Sequence, residues 1–168
     1  HSRAAAAVPV LAQALAGARI HKVQIDWLED IRVWHPGQDW ILAAGGMGVF
    51  DPGINALSVL TAILPMPVRL AAAALDVPAN CAGPIAAQLA MQAGTVPVAA
   101  RFDFLHAGPP RWDIVVETES GTWQLADGGA RLLHDGVAVP LAETGEYPGL
   151  YRRFATLIAD GASDCDVR

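Results

Sequence analysis

The chain has 168 residues, the length of one ordinary domain. Its net charge is −6 with 11 Lys and Arg and no basic stripe interleaved with aromatic residues, which excludes nucleic acid and an anionic membrane surface as partners. Hydrophobic residues make up 53% of the chain and charged residues 17%, so we expect a partner or a second domain to cover part of the apolar surface.

The first predicted element is a helix over residues 3–16, closed by Gly17. This Ala-rich segment partly resembles a signal peptide, but Pro9 and Gln13 interrupt it and the first residue is His rather than Met. We therefore interpret it as an amphipathic helix, in a chain that starts within a longer protein.

A strand, a long loop and a second helix are predicted next. Apolar residues alternate with polar ones at Val23, Ile25 and Trp27, which is typical of a half-buried strand. Residues 29–48 form a loop rich in Trp, His, Pro and Gly, and a loop of this length is usually functional or disordered. Asp51 as N-cap and Pro52 at the first helical position then predict a helix that runs to about Leu64.

The rest of the chain is predicted as strands followed by one last helix. Strands are predicted at residues 68–75, 85–91, 98–104 and 112–116, the last three from period-2 alternation, and turn dipeptides follow at 120–121, 128–129 and 135–136. A helix begins near Pro148 and ends at Gly161. The predicted fold is α+β, an open and mostly antiparallel meander with helices on one face; the other face suggests a homodimer through the sheet.

The cysteines and the hydropathy of the chain indicate where in the cell the protein is expected. Cys81 and Cys165 lie far apart without metal-ligand spacing, and we interpret both as unpaired thiols of a cytoplasmic protein. The apolar segment 56–75 is long enough for a membrane span, but two prolines and an arginine interrupt it. It is therefore predicted as helix, turn and strand. No His, Cys or Asp cluster predicts a metal site.

Polar and aromatic residues around the loop and the second helix are the candidates for a site. Asp51 and Asn55 share one face of the first helical turn and could meet sugar hydroxyls, although Asp51 alone is also an ideal cap and Asn55 an ordinary helix residue. His35 could donate to a ligand hydroxyl or simply be exposed. Three tryptophans could stack on a sugar ring or lie in the core: Trp27, Trp34 and Trp40. The glycine cluster 45–48 could bind phosphate, but a flexible turn is the more common role.

The junction between loop and helix resembles a known family. The run GGMGVFDPGIN at residues 45–55 resembles the glycine-rich DxGxH-type motif of the Gfo/Idh/MocA oxidoreductases. The flanking stretch from WHPGQ (34–38) to ALS (56–58), with WDI (112–114) and YPGLYRRF (147–154), resembles the branch that oxidises free aldoses at C1, the galactose/arabinose 1-dehydrogenases. The resemblance covers nearly the whole chain, but Asn55 stands where many members have His.

This resemblance implies a domain organisation and a cofactor. An N-terminal Rossmann domain binds NAD or NADP in the family, and the C-terminal domain is an open sheet that closes over the nicotinamide. Residues 1–18 would be the last loop and helix of that Rossmann domain, and residues 19–168 the substrate-binding and dimerisation domain. The chain itself would hold no cofactor-binding residue. The lysine that is the expected base would lie outside the chain.

The resemblance also implies roles for four residues. Asp51 would bind or polarise the C1 hydroxyl and Asn55 would bind the sugar beside it, both as catalytic residues. Glu29 and His35 would bind the remaining hydroxyls. The expected reaction is oxidation of an aldose to an aldonolactone, with the isolated chain inactive. Two other classes stay open: a non-catalytic sugar-binding or dimerisation module, and a glycosidase that pairs Glu29 or Asp30 with Asp51.

Overall fold

The computed structural model describes residues 2–142 and 146–165. Within those residues the helices are α1 (Ala7–Leu15), α2 (Ile31–Trp34), α3 (Phe50–Ile63) and α4 (Tyr147–Asp160). The strands are β1 (Ile20–Leu28), β2 (Val68–Asp76), β3 (Ala86–Ala93), β4 (Val96–Asp103), β5 (Arg111–Thr118), β6 (Gly121–Ala126), β7 (Arg131–His134) and β8 (Val137–Ala138). Short 3-10 turns lie at Ser2–Ala4, Asp39–Ile41 and Asp127–Gly129.

All eight strands form one sheet in the order β2-β3-β4-β1-β5-β6-β7-β8. The first strand in sequence is therefore central, antiparallel to β5 and parallel to β4. The α+β class and the open, mostly antiparallel sheet are confirmed. The prediction of a meander is wrong at β1, because this strand is parallel to β4. The parallel pair arises because the chain leaves β1, passes through α2, α3 and the β2–β3 hairpin, and returns alongside it as β4.

The core lies between one face of the sheet and helices α1 and α3. The two helices contact each other, and they pack over strands from the middle of the sheet to β7. Val23, Ile25 and Ile114 point into this layer and are fully buried, as are Leu11 and Leu15 of α1. Burial of these side chains supplies the main driving force for folding, at about 25 cal/mol per Å² of apolar surface.

The two long predicted helices differ in detail from those observed. The segment predicted as one helix over 3–16 divides into a 3-10 turn and α1. Pro9 explains the break, because its ring excludes a helical carbonyl four residues earlier. The helix α3 begins at Phe50 with Val49 in the N-cap position and no side-chain capping bond, so the prediction that Asp51 is the cap is wrong.

The backbone around α3 explains why a side-chain cap is not needed. The amide of Val49 donates to the carbonyl of Pro84 at 2.7 Å, and the amide of Asp51 donates to the carbonyl of Gly48 at 2.9 Å. The second bond satisfies one amide that a cap would otherwise serve, and the next residue, Pro52, has no amide hydrogen. The carboxylate of Asp51 is left available for another role.

The remaining predicted elements are confirmed with small changes at their ends. The four strands predicted after α3 correspond to β2, β3, β4 and β5, and α4 ends at Gly161 in the left-handed conformation, with φ of 60°. The predicted loop 29–48 contains α2 and a 3-10 turn. Both thiols, Cys81 and Cys165, are free. No helix among the described residues is long and apolar enough to cross a membrane.

Two surfaces away from the core are apolar yet uncovered. The open face of the sheet has a shallow depression of about 530 Å³ whose floor includes Ala72, Ala90 and Ala99. Beside it, Asp26 forms ion pairs with Arg101 at 3.5 Å and with Arg111 at 3.3 Å. On α4, three large side chains are more than half exposed: Tyr151, Phe154 and Ile158. Apolar surfaces of this kind are typical of sites that another protein surface covers.

Candidate functional site

A cleft of about 600 Å³ lies where β1 ends and α3 begins, with the turn Asp127–Gly129 on its rim. The four residues predicted to bind the sugar all line it, although they come from three separate segments of the chain: Glu29, His35, Asp51 and Asn55. The other lining residues are Ser2, Trp27, Trp34, Pro52, Ile54, Trp112, Asp127, Gly128 and Glu146. Among the described residues, the lining therefore contains four acidic residues and no Lys or Arg.

The first turn and a half of α3 supplies one wall of the cleft. Asp51 and Asn55 are both partly exposed, and neither side chain forms a hydrogen bond with another described residue. Asp51 lies in the first turn, where the helix dipole stabilises a negative charge. The helix is fixed by close packing on β4, since an added Cβ at Gly53 would lie 2.9 Å from a ring carbon of Phe102.

The opposite wall is built around the buried carboxylate of Glu29. Only 3% of this residue is exposed, and its backbone carries on the β1–β4 pairing by donating to the carbonyl of Asp103 at 2.9 Å. One carboxylate oxygen, Oε1, lies 2.7 Å from Nε2 of His35. The other, Oε2, accepts a hydrogen bond from the indole Nε1 of Trp112 at 2.7 Å. Both oxygens are thus engaged within the protein.

Aromatic rings complete the cleft. Trp34 and Trp112 meet edge to face, with centroids 4.7 Å apart and planes at 77°, and Trp27 lies beside them. Of the three tryptophans predicted to stack on a sugar, Trp27 and Trp34 line this cleft. Trp40 does not: it lies in the Asp39–Ile41 turn and is 57% exposed. Trp112 was missed because its position in an alternating strand indicated a core residue.

Asp30 has a local structural role. It accepts the amide of Arg32 at 2.9 Å as the N-cap of α2 and forms two further hydrogen bonds with the Arg32 guanidinium. The side-chain bond from Arg32 holds the pKa of the Asp30 carboxyl below its ordinary value. Asp30 does not line the cleft, so it does not form with Asp51 the carboxylate pair that a glycosidase requires.

Asp127 lines the cleft from the far side and was not predicted as a site residue. It has φ of 52°, a left-handed conformation that is uncommon for a residue other than Gly, and its carboxylate is paired with Arg131. Such backbone positions are often found at ligand sites. The sequence signal was the dipeptide Gly128–Gly129, which predicted the turn but not its place beside the cleft.

The glycine cluster at residues 45–48 does not fit a dinucleotide phosphate. An added Cβ at Gly46 would lie 2.3 Å from the carbonyl oxygens of Trp40 and Ile41, and one at Gly48 would lie 2.4 Å from the carbonyl of Pro84. These glycines are needed for close backbone packing. The amides that follow are already bonded to carbonyls, so they are not free to bind an anion.

Comparison with known proteins identifies the fold and then the branch. No family model matches the chain. It superimposes on an inositol dehydrogenase homolog of Azotobacter vinelandii, solved with NAD+, at a TM-score of 0.74 and 15% identity over 95% of the chain, a likeness of fold alone. It is 50% identical to D-galactose-1-dehydrogenase of Rhizobium etli over 99% of the chain and 54% of that protein, with a TM-score of 0.92.

A curated relative gives the same result. Galactose 1-dehydrogenase of Pseudomonas fluorescens is 50% identical over 92% of the chain and 51% of its own length. The chain thus spans about half the length of these relatives. It belongs to the Gfo/Idh/MocA oxidoreductase family, as a C-terminal domain. Within that family it falls in the galactose 1-dehydrogenase branch.

Proposed function

We propose that this domain binds a free, uncharged aldose for oxidation at C1 to an aldonolactone by an NAD(P)-dependent dehydrogenase. The observation that carries the proposal is the cleft lining: in the part of the chain that the structure describes, it has hydroxyl-binding side chains and tryptophans but no Lys or Arg. Phosphate groups are usually bound by Arg or Lys, so this lining disfavours sugar phosphates and sugar nucleotides. The 50% identity to two galactose 1-dehydrogenases supports D-galactose as the first substrate to test.

In this proposal, Asp51 and Asn55 hold the reacting end of the sugar. Asp51 accepts a hydrogen bond from the C1 hydroxyl, because an ionised carboxylate accepts and does not donate. Asn55 hydrogen-bonds the neighbouring hydroxyl but does not exchange a proton near neutral pH. The base that takes the C1 hydroxyl proton is then a lysine outside this chain. The negative charge of Asp51 modulates the basicity of that lysine.

The cofactor in this proposal is NAD or NADP, held by a nucleotide-binding domain outside the described residues. The cofactor would accept the hydride from C1, while the residues of the cleft bind and orient the sugar. Residues 1–18 would belong to the end of the nucleotide-binding domain and residues 19–168 to the substrate domain. The chain by itself would not catalyse. The two free thiols support a cytoplasmic location.

Sugar binding by the chain alone is the first test of this proposal. We expect D-galactose to shift the indole resonances of Trp27, Trp34 and Trp112 in a 15N-labelled sample, because these rings line the cleft. The indoles of Trp40 and Trp123 should stay unchanged, since neither lines it. Galactose 1-phosphate should bind more weakly, because its phosphate would approach four acidic residues. Equal shifts at all five indoles, or tighter binding of the phosphate, would contradict the proposal.

We further propose that the domain forms a homodimer through the open face of the sheet. The shallow depression over Ala72, Ala90 and Ala99 is mostly apolar, and polar groups in its lining, such as Gln24, can pair across an interface. We expect light scattering to give twice the chain mass. Ala99→Arg should yield monomers that remain folded, because it adds a bulky charge to an exposed position. A monomeric parent chain, or a dimer unaffected by Ala99→Arg, would contradict this interface.

A further inference from the structure

Glu29 ties together three separate parts of the cleft. Its backbone directly follows β1, its Oε1 bonds His35 just after α2, and its Oε2 bonds Trp112 on β5. The rings of Trp34 and Trp112 also contact each other, so the α2 segment is held against the sheet at two adjacent points.

The chemistry of the three groups fixes which of them donates. A carboxylate accepts only, so Nε2 of His35 carries a hydrogen directed at Oε1, as the Trp112 indole does at Oε2. The other ring nitrogen of His35, Nδ1, lies 3.4 Å from the amide end of the Gln38 side chain, whose NH2 group can donate to it once the amide is turned, and the ring contacts Phe104 with centroids 5.8 Å apart. The orientation of the imidazole is therefore set on several sides.

We propose that Glu29 is a positioning residue that fixes the His35 imidazole and the Trp112 indole in the cleft wall and does not itself bind the sugar. A carboxylate with 3% exposure and both oxygens engaged has little capacity left for a substrate hydroxyl. The burial of its charge is offset by these two bonds, so removing the charge releases both rings. Only the consequence for sugar binding rests on the function proposed above.

The first test measures the two bonds without any sugar. In the unaltered chain, long-range 1H–15N spectra should show hydrogen on Nε2 of His35. Glu29→Gln should shift the signals of the His35 ring nitrogens and of the Trp112 indole, because an amide has one accepting oxygen and one donating NH2 group and cannot accept from both rings. Glu119→Gln, at an exposed turn, is the matched control. An unprotonated Nε2 in the parent chain, or unmoved signals in Glu29→Gln, would overturn the proposal.

The second test separates positioning from direct binding. Glu29→Gln should weaken binding of D-galactose about tenfold, and by the same factor for its 2-, 3-, 4- and 6-deoxy analogues. A direct ligand would behave differently, since deleting the hydroxyl that it binds would abolish the effect of the substitution for that one analogue. Such a selective loss would overturn the proposal. If the parent chain binds no aldose, the function proposed above fails, while the spectra still decide the role of Glu29.

Discussion

Replacing Asp51 by alanine should lower aldose oxidation by about 100-fold or more in a protein that joins this domain to its nucleotide-binding domain. The carboxylate lies in the first turn of α3, lines the cleft and forms no hydrogen bond with another described residue. A charge held this way is available to the C1 hydroxyl of the substrate. The measurement is kcat and KM for D-galactose in the parent and variant proteins.

The stability of the same variant distinguishes this role from helix capping. Because Asp51 is not the N-cap, its removal should cost only the helix-dipole interaction, about 0.3–1 kcal/mol. Asp76→Ala is the matched control, since Asp76 is exposed at the end of β2 and does not line the cleft. A fully active Asp51→Ala variant would show that the carboxylate has no part in the reaction.

Replacing Phe102 by alanine should lower the free energy of unfolding by about 3–5 kcal/mol. Its side chain is 1% exposed on β4, its ring lies 5.7 Å from that of Phe50, and α3 approaches it closely at Gly53. The cavity would lie beneath the first turn of α3. Unfolding by urea, followed by tryptophan fluorescence, measures the change.

The matched control for Phe102→Ala is Phe154→Ala. Phe154 is 59% exposed on α4, so its removal from the chain alone should change the free energy of unfolding by less than about 0.5 kcal/mol. Similar losses in the two variants would indicate that α3 is not held by its packing on β4. Because Asp51 and Asn55 lie on the same helix, we also expect Phe102→Ala to weaken sugar binding.

The sequence predicted the elements well where periodicity is strong. Alternation identified β1, β3, β4 and β5, and Gly161 marked the end of α4, because both signals are local. The position of β1 in the middle of the sheet was not predicted, since strand order depends on pairing between distant segments. The misplaced cap has a similar cause: the chain just before α3 is fixed by a hydrogen bond from the amide of Val49 to the carbonyl of Pro84, which lies far along the chain.

The candidate site shows the same division. Glu29, His35, Asp51 and Asn55 were nominated from family-like motifs, and the fold brings all four to one cleft. The contacts of these residues could not be predicted from the sequence. For example, Glu29 accepts a hydrogen bond from Trp112, which lies far along the chain on β5. Asp127 was missed for a related reason: its turn reaches the cleft only through the pairing of β6 and β7.

The most direct test of the proposed function is turnover. This chain should be fused behind the part of the Rhizobium etli D-galactose-1-dehydrogenase that it does not match, and reduction of NAD+ and NADP+ should be followed spectrophotometrically with a panel of aldoses. We expect reduction that depends on D-galactose, yields a lactone and is lost in Asp51→Ala. A folded fusion that binds the cofactor but oxidises no aldose would contradict a role in sugar oxidation and would favour a non-catalytic module.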